Sequence, residues 1–196
     1  MDAQQTQTVV PGIYYLERQM EMASGFKINA DNTFEFFFTY GALDRFGKGK
    51  WEVKDHEIIL NSTSKFTHDF ELVKTKTIDD NDSITIQINT ENEMIPKSFY
   101  AQIGTEGKMD GAPTDGKGLV KIPKREFDNI ILMFEFSAER QSIFTITDKT
   151  ANYFEFKLLP TVWEVFFENF PLEFSKDELT GEHPMLERKK YSYEKQ

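Results

Sequence analysis

The strongest constraint on the fold is the alternation of apolar and polar residues at every second position. Residues 84–88 read Ile-Thr-Ile-Gln-Ile, and residues 33–39 place three phenylalanines on one face in the same way. Successive side chains of a β-strand point to opposite faces of a sheet, so this spacing is typical of strands with one buried face. Similar short segments recur along the chain, bounded by Gly, Asn, Asp or Pro. The sequence therefore predicts an all-β fold.

Phenylalanine supplies much of the apolar side of this pattern. The chain has 19 Phe among 196 residues and no Cys. Without Cys there are no disulfides, thiolate nucleophiles or Cys-ligated metals, so packed apolar side chains must hold the strands together. We therefore predict that most phenylalanines fill a β-barrel core, among them Phe34, Phe36, Phe38, Phe134, Phe136, Phe144, Phe154 and Phe156.

Residues 161–170 fit two kinds of local structure. Four aromatic side chains follow helical spacing: Trp163, Phe166, Phe167 and Phe170. Thr161 and Glu164 match a capping box at the start of a helix, and Pro171 would end it. The same residue types are also strand formers. A short helix and a strand, bulged or regular, both remain open.

The distribution of glycine predicts an inserted module. Five of the 11 glycines lie between residues 104 and 118, and Gly181 is the only other glycine after Gly49. Such clustering is typical of a loop-rich segment. We predict a barrel formed by residues 9–64 and 126–196, with a small β-sandwich-like module at residues 65–125.

A first resemblance covers residues 11–62. Its motifs, in order, are Gly12-Ile13-Tyr14-Tyr15, Gly25-Phe26, Asp31-Asn32-Thr33-Phe34, Gly49-Lys50-Trp51 and Glu57-Ile58-Ile59-Leu60. This order resembles that of bacterial lipocalin-like domains of uncharacterised function. The resemblance implies an antiparallel barrel in which Trp51 fills one end and Gly49 lets the backbone approach it.

A second resemblance covers residues 83–123. A strand at residues 84–88 is followed by one near residues 99–103, and Thr114-Asp115-Gly116-Lys117-Gly118 precedes a further strand at residues 119–122. This arrangement is similar to carboxypeptidase regulatory-like, or transthyretin-like, β-sandwich modules. Such modules are structural or adhesive, so the resemblance implies no catalytic residues.

The charge of the chain restricts its partners. The formal net charge is -10, which disfavours nucleic acids and anionic membrane surfaces and favours a basic protein partner. The longest apolar run has five residues, far fewer than the roughly 20 that span a bilayer, so we expect no membrane insertion. Residues 159–187 hold seven acidic residues and one base, Lys176.

We therefore expect a non-enzymatic protein that binds a protein partner, with an inhibitor or immunity-type role as one form of this function. The expected contact surface is acidic and aromatic and comprises Trp163, Glu164, Phe167, Glu168 and Glu173. The alternative is a carrier of a small apolar ligand inside the barrel, in a cavity lined by Phe34, Phe36, Phe38, Trp51 and Phe134. Hydrolase activity is a remote third alternative.

Nothing in the sequence identifies a catalytic, cofactor or metal site. It contains no nucleophile elbow, phosphate loop or dinucleotide fingerprint, so we expect no cofactor. The acidic residues 79–82 fit a polar turn, with weak calcium binding as the alternative, because they lack the spacing and the glycine of an EF-hand loop. Residues 1–8 have neither a basic region nor an apolar core, so cytoplasm is the default expectation, and periplasm or secretion applies if a leader was replaced.

Overall fold

The computed structural model describes residues 11–17, 21–41 and 43–196. Residues 1–8, on which the expected localisation depends, lie outside the described residues. The fold is all-β, with two short 3-10 helices, so the predicted fold class is confirmed. In this part of the chain, no helix is long and apolar enough to cross a membrane.

The described residues form sixteen strands. In chain order they are β1 (Gly12–Leu16), β2 (Met22–Ile28), β3 (Thr33–Tyr40), β4 (Leu43–Lys54), β5 (Glu57–Ser62), β6 (Phe70–Lys76), β7 (Ser83–Asn89), β8 (Phe99–Thr105), β9 (Lys108–Pro113), β10 (Leu119–Pro123), β11 (Asn129–Phe134), β12 (Ser142–Thr145), β13 (Tyr153–Leu158), β14 (Phe170–Phe174), β15 (Glu178–Gly181) and β16 (Tyr191–Lys195). The 3-10 helices are Glu135–Ser137 and Pro160–Trp163.

The first unit is a closed antiparallel barrel of eight strands. It comprises Met1–Phe66 and Trp163–Gln196, and its strand order is β1-β16-β15-β14-β5-β4-β3-β2. Every second residue points inward, so the alternation seen in the sequence becomes an apolar interior and a polar outer wall.

The second unit, Thr67–Val162, contains two four-stranded sheets. One has the order β10-β7-β13-β6 and the other β12-β11-β8-β9. Their inner faces meet through aromatic pairs, with ring centroids 5.8 Å apart for Phe70 and Phe99 and 4.9 Å apart for Phe144 and Phe156. Two packed sheets of this kind form a sandwich-like module.

The boundaries of the units differ from the predicted ones. We predicted residues 126–196 in the barrel and residues 65–125 in the insertion, but β11, β12 and β13 belong to the second unit. Strand β11 pairs with β8, and β13 pairs with β6 and in parallel with β7. The alternation of a strand indicates that one face is buried but does not say in which core, so these strands could not be assigned from sequence alone.

A buried ion pair fastens the two ends of the second unit to each other. Arg140 Nη2 lies 3.2 Å from Asp69 Oδ1, and their side chains are only 11% and 4% exposed. The same Arg140 nitrogen donates to the carbonyl oxygens of Thr161 and Val162 at 3.2 and 2.9 Å. The Thr161 hydroxyl donates to the His68 carbonyl oxygen at 3.0 Å. Both chain ends of the unit are therefore held by bonds inside it.

We predict that Arg140→Ala lowers the free energy of unfolding of the second unit by about 3–5 kcal/mol, because the Asp69 carboxylate stays buried without its cation. The matched control is Lys149→Ala. Lys149 pairs with Asp128 at 2.8 Å on the surface, and its loss should cost less than about 1 kcal/mol. Urea unfolding of the full chain measures both values. Equal effects of the two substitutions would contradict the role of the buried pair.

Residues 161–170, which connect the second unit to β14, form neither the short helix nor the strand that the sequence left open. One 3-10 turn at Pro160–Trp163 is followed by an extended segment, and β14 starts at Phe170. The capping-box interpretation is wrong, because the Thr161 hydroxyl donates to a carbonyl oxygen instead of accepting from a helix N–H. Pro171 lies within β14.

This extended segment packs inside the barrel against β4. Val165 N donates to Phe46 O at 2.6 Å, on a part of β4 that lies beyond its pairing with β5. Phe167 is 4% exposed, and Ser62 N donates to its carbonyl oxygen at 2.9 Å. Gly47 makes room for the segment, because a methyl group there would lie 2.5 Å from the Phe167 ring and 2.8 Å from Val165 O.

We predict that Gly47→Ala destabilises the barrel by about 1–3 kcal/mol, since the added methyl group must displace the Phe167 ring or the Val165 backbone. Gly116→Ala is the control, because a methyl group there would meet no atom within 4 Å and should change stability by less than about 0.5 kcal/mol. Chemical denaturation followed by far-ultraviolet circular dichroism, which reports the strands of both units, measures both. A neutral Gly47→Ala would show that the segment does not pack as described.

Candidate functional site

The five residues expected to form an acidic aromatic surface do not lie on one surface. Glu164 is 8% exposed, and its carboxylate Oε1 accepts a hydrogen bond from the Ser64 hydroxyl at 3.2 Å. Phe167 is a barrel core residue whose ring lies 5.1 Å from that of Phe34. No local signal indicates that this segment enters the barrel, because its aromatic and acidic residues fit a solvated strand equally well.

The other three residues of that set keep some contact with solvent. Trp163 is partly buried, and Glu168 and Glu173 are exposed. Both Glu173 oxygens accept from Lys190 Nζ at 2.7 Å, and this bond holds the pKa of the Glu173 carboxyl below its usual value. Glu173 therefore lies in a surface ion pair.

Glu173 also lines a groove on the outer face of β5, β14 and β15. This acidic groove has a volume of about 480 Å³, and its polar residues include Glu57, Glu173, Glu182, Lys189 and Lys190. Phe170 and Pro171 contribute its apolar part. Three carboxylates and two ammonium groups line it, so the acidic groove carries only a small negative charge.

The residues expected to line a ligand cavity are divided between the two units. Phe34, Phe36 and Phe38 are buried in the barrel core, whereas Phe134 lies in the second unit, where its ring packs 5.2 Å from that of Phe99. Phe136, Phe144, Phe154 and Phe156 belong to the second unit as well. The prediction that they fill the barrel is wrong for these five residues, because strands of equal periodicity pair in the other unit.

The middle of the barrel is occupied by aromatic rings in contact. The Phe167 centroid lies 5.5 Å from that of Phe36 and 6.1 Å from that of Phe26, and Phe26 lies 5.0 Å from Tyr193. These distances are those of packed aromatic pairs. Trp51 is partly buried at the margin of this core, and its indole N–H donates to Asn29 O at 3.0 Å.

A buried Ser–His pair lies at one end of the barrel core. Ser24 Oγ and His183 Nε2 are 3.0 Å apart. Met185 N donates to His183 Nδ1 at 3.0 Å, so the proton of the neutral ring is on Nε2 and is donated to Ser24 Oγ. The Ser24 hydroxyl in turn donates to Phe37 O at 2.8 Å. His183 therefore cannot accept the Ser24 proton in this arrangement, and the pair is not a nucleophile with its general base.

In the acidic loop at residues 79–82, the Asp80 carboxylate is hydrogen-bonded to other groups of the protein. Asp80 accepts from Ser83 Oγ at 2.7 Å and from Lys121 Nζ at 2.8 Å, and the lysine bond is the largest cause that lowers the pKa of Asp80. The Asp80 carboxylate is therefore already bound by groups of the protein itself. In the three described stretches of the chain, no three His, Cys, Asp or Glu side chains are grouped to hold a metal ion.

A second groove, on the outer face of β1 to β4, is lined by aromatic and aliphatic side chains. It has a volume of about 430 Å³, and we call it the wall groove; its apolar residues are Ile13, Tyr15, Phe37 and Phe46, and its charged residues are Lys27, Glu35 and Lys48. Tyr15, Gly25, Phe37 and Phe46 are direct partners across neighbouring strands, and they form one row over the sheet.

Gly25 gives this row its shape. A methyl group there would lie 2.8 Å from a Phe37 ring carbon, so the Phe37 ring lies over the glycine. It reaches Tyr15, with ring centroids 5.3 Å apart. Phe46, directly opposite Phe37 on β4, is 45% exposed. Lys27 and Glu35 form an ion pair at 2.7 Å beside the row, which lowers the pKa of Glu35.

The wall groove was not predicted from the sequence, although one signal for it is present there. In the run Phe36-Phe37-Phe38, only Phe36 and Phe38 share the inward face of β3, so Phe37 must point outward. An aromatic residue that breaks the alternation of a half-buried strand is therefore a marker of an apolar outer face.

Taken together, the structure defines a closed eight-stranded antiparallel barrel into which a two-sheet unit is inserted after β5. Comparisons with protein-family models, curated proteins and solved structures found no match to this chain.

Proposed function

We propose that this chain is a non-enzymatic binding protein whose barrel engages a protein partner through the wall groove. The observation that supports this most is the exposure of Phe46 beside the half-buried Phe37. All 19 phenylalanines lie in the described part of the chain, and only Phe46 and Phe136 are exposed. A large aromatic side chain kept at the surface of a concave apolar patch is typical of an anchor in a protein interface.

The surroundings of Phe46 also fit this function. Interfaces commonly have an apolar centre that contains Tyr, Phe or Trp and a polar rim. In the wall groove Tyr15 and Phe37 form the centre, and Lys27, Glu35 and Lys48 form the rim. All these residues stand on paired strands of a closed barrel, so the surface is rigid before a partner binds, which reduces the entropy lost on binding.

The exposed glutamates of the predicted acidic aromatic surface have a secondary role in binding. The net charge of -10 favours approach of a basic partner, and Glu168 and Glu173 remain at the surface. An inhibitor or immunity-type role is one function that a rigid acidic binding protein would serve.

We further infer that the barrel is of the lipocalin-like kind and that the second unit is of the carboxypeptidase regulatory-like kind. The closed antiparallel arrangement of eight strands supports the first inference. The two facing sheets of the second unit support the second, although its parallel β7–β13 pair adds a feature that the sequence motifs did not indicate.

The two alternative functions have less support. Carriage of an apolar ligand inside the barrel needs space that the Phe26, Phe36 and Phe167 rings occupy. Hydrolysis by the buried Ser24 would require its hydroxyl proton to face His183, whereas that proton is donated to Phe37 O.

We predict that Phe46→Ser weakens binding of the natural partner by about 30-fold, the effect of losing a hot spot worth about 2 kcal/mol. The experiment compares affinity purifications from cells that naturally express the protein, followed by affinity measurement with the purified partner. Phe136→Ser is the matched control, because Phe136 is 42% exposed but belongs to the second unit. Both variants should lose no more than about 1 kcal/mol of stability.

The comparison of the two variants shows whether the wall groove is the interface. Loss of the partner with Phe46→Ser and its retention with Phe136→Ser supports the wall groove as the interface. Equal retention by both variants, or equal loss, would exclude it.

We also predict that the double substitution Glu168→Gln and Glu173→Gln lowers the association rate of a basic partner by less than about tenfold and leaves its dissociation rate unchanged, because these exposed charges act by long-range attraction. Binding kinetics at two salt concentrations measure this effect. A large rise in the dissociation rate would instead place the interface at these glutamates.

A further inference from the structure

His183 anchors a loop to one end of the barrel. The loop, residues 182–190, joins β15 to β16, and its first residues contain the buried imidazole, which is only 4% exposed. Four aromatic rings surround it, with centroid distances of 5.7 Å to Phe36, 5.6 Å to Phe38, 5.8 Å to Tyr191 and 6.3 Å to Tyr193. His183 is the one fully buried side chain of this loop, and the half-buried Met185 and Leu186 pack against the same core beside it.

The hydrogen bonds of this imidazole suit only its neutral form. Nδ1 accepts the Met185 N–H at 3.0 Å, within the loop itself. Nε2 donates to Ser24 Oγ on β2 at 3.0 Å, and the Ser24 hydroxyl donates to Phe37 O of β3. A second proton can be added only at Nδ1, where it would point at the Met185 N–H. Protonation must therefore break this bond and place two donors face to face.

The groups around the ring offer the charged form no compensation. The side chains that face it are Ser24 from β2, Phe36 and Phe38 from β3, and Tyr191 and Tyr193 from β16. On β4, the residue paired in register with Phe38 is the buried Arg45, which is itself a cation. No carboxylate of the described residues is among the hydrogen-bond or ring partners of His183. A buried cation without an anionic partner is strongly disfavoured.

From this geometry we infer that the loop at residues 182–190 is an acid-sensitive clasp, which protonation of His183 detaches from the end of the barrel. The rest of the barrel stays folded, because β15 and β16 remain paired with each other and with their neighbours β14 and β1. Detachment exposes the aromatic side chains around the vacated position, Tyr191 and Phe38 among them. This device does not depend on the proposed partner or on the wall groove.

The direction of the pH dependence follows from the burial of the ring. Burial lowers the pKa of His183 to about 4 in the attached state, from an ordinary value near 6.5. The detached loop exposes the ring to water and restores the ordinary value. The detached state therefore binds the proton more tightly, and attachment is complete above about pH 6.5 and weakens progressively as the pH falls towards 4.

The decisive measurement follows His183 and the Met185 amide in the unmodified protein by NMR. We expect the His183 ring to titrate well below pH 6.5, and the Met185 protection factor against hydrogen exchange to fall at least about tenfold over the same pH range. The amides of β3 and β4 should stay protected there.

Two results in the unmodified protein would overturn the inference. In the first, His183 titrates without any change in Met185 protection, so the ring holds nothing in place. In the second, Met185 and the β3 amides lose protection together, so acid unfolds the whole barrel instead of releasing the loop.

His183→Asn supplies an independent test. The Asn side-chain oxygen can take the place of Nδ1 as acceptor of the Met185 N–H, two residues ahead, but it has no group that titrates in this pH range. We expect Met185 protection in this variant to stay constant from pH 7 to the acid limit of the barrel. An unchanged acid transition in the variant would rule out His183 as its cause. If the variant does not fold, the measurements on the unmodified protein still decide.

Discussion

The barrel depends on one packing arrangement, in which the segment that follows the insertion in the chain fills the space beside two interior glycines. Gly47 and Gly49 leave the inward face of β4 without side chains at two positions. Phe167 enters beside Gly47, and its ring contacts Phe26, Phe34 and Phe36. The first five strands therefore do not complete their own core, and the chain must return after about a hundred residues before the barrel is packed. Contacts so distant in sequence are costly to form early in folding.

The second unit allows the chain to return to the barrel, because bonds within the unit hold its first and last residues near each other. The buried Arg140–Asp69 pair and the bonds to Thr161 and Val162 keep the first and last residues of the unit together. In the barrel, Ser64 and Glu164 are likewise joined by a hydrogen bond where the chain leaves and returns. An insertion with neighbouring ends interrupts a barrel at little structural cost.

The sequence predicted the elements better than their assignment to cores. The strand at residues 84–88 and the Phe-rich strand at residues 33–39 were recognised from their two-residue period. Phe34 and Phe134 have the same local pattern, yet they lie in different units. Glu164 and Phe167 were predicted on a surface because local composition resembles that of a solvated edge, and only their position against Phe46 and Gly47 shows that they are inside. The wall groove was signalled by the outward Phe37, but its apolar area also comes from residues on two other strands, β1 and β4.

Three properties could be derived from the sequence alone: the chain is all-β, it has no cysteine chemistry, and its stability relies on aromatic packing. These properties follow from composition and from the two-residue period, which are local. Which phenylalanines share a core depends on the tertiary fold, and so does the filling of the barrel by aromatic rings. The burial of His183 with its proton on Nε2 and the meeting of Tyr15, Phe37 and Phe46 on one outer face also depend on it. The reason is physical: strand register and pairing are set by contacts between residues far apart in the chain, and a local pattern states that a face is buried without stating what buries it.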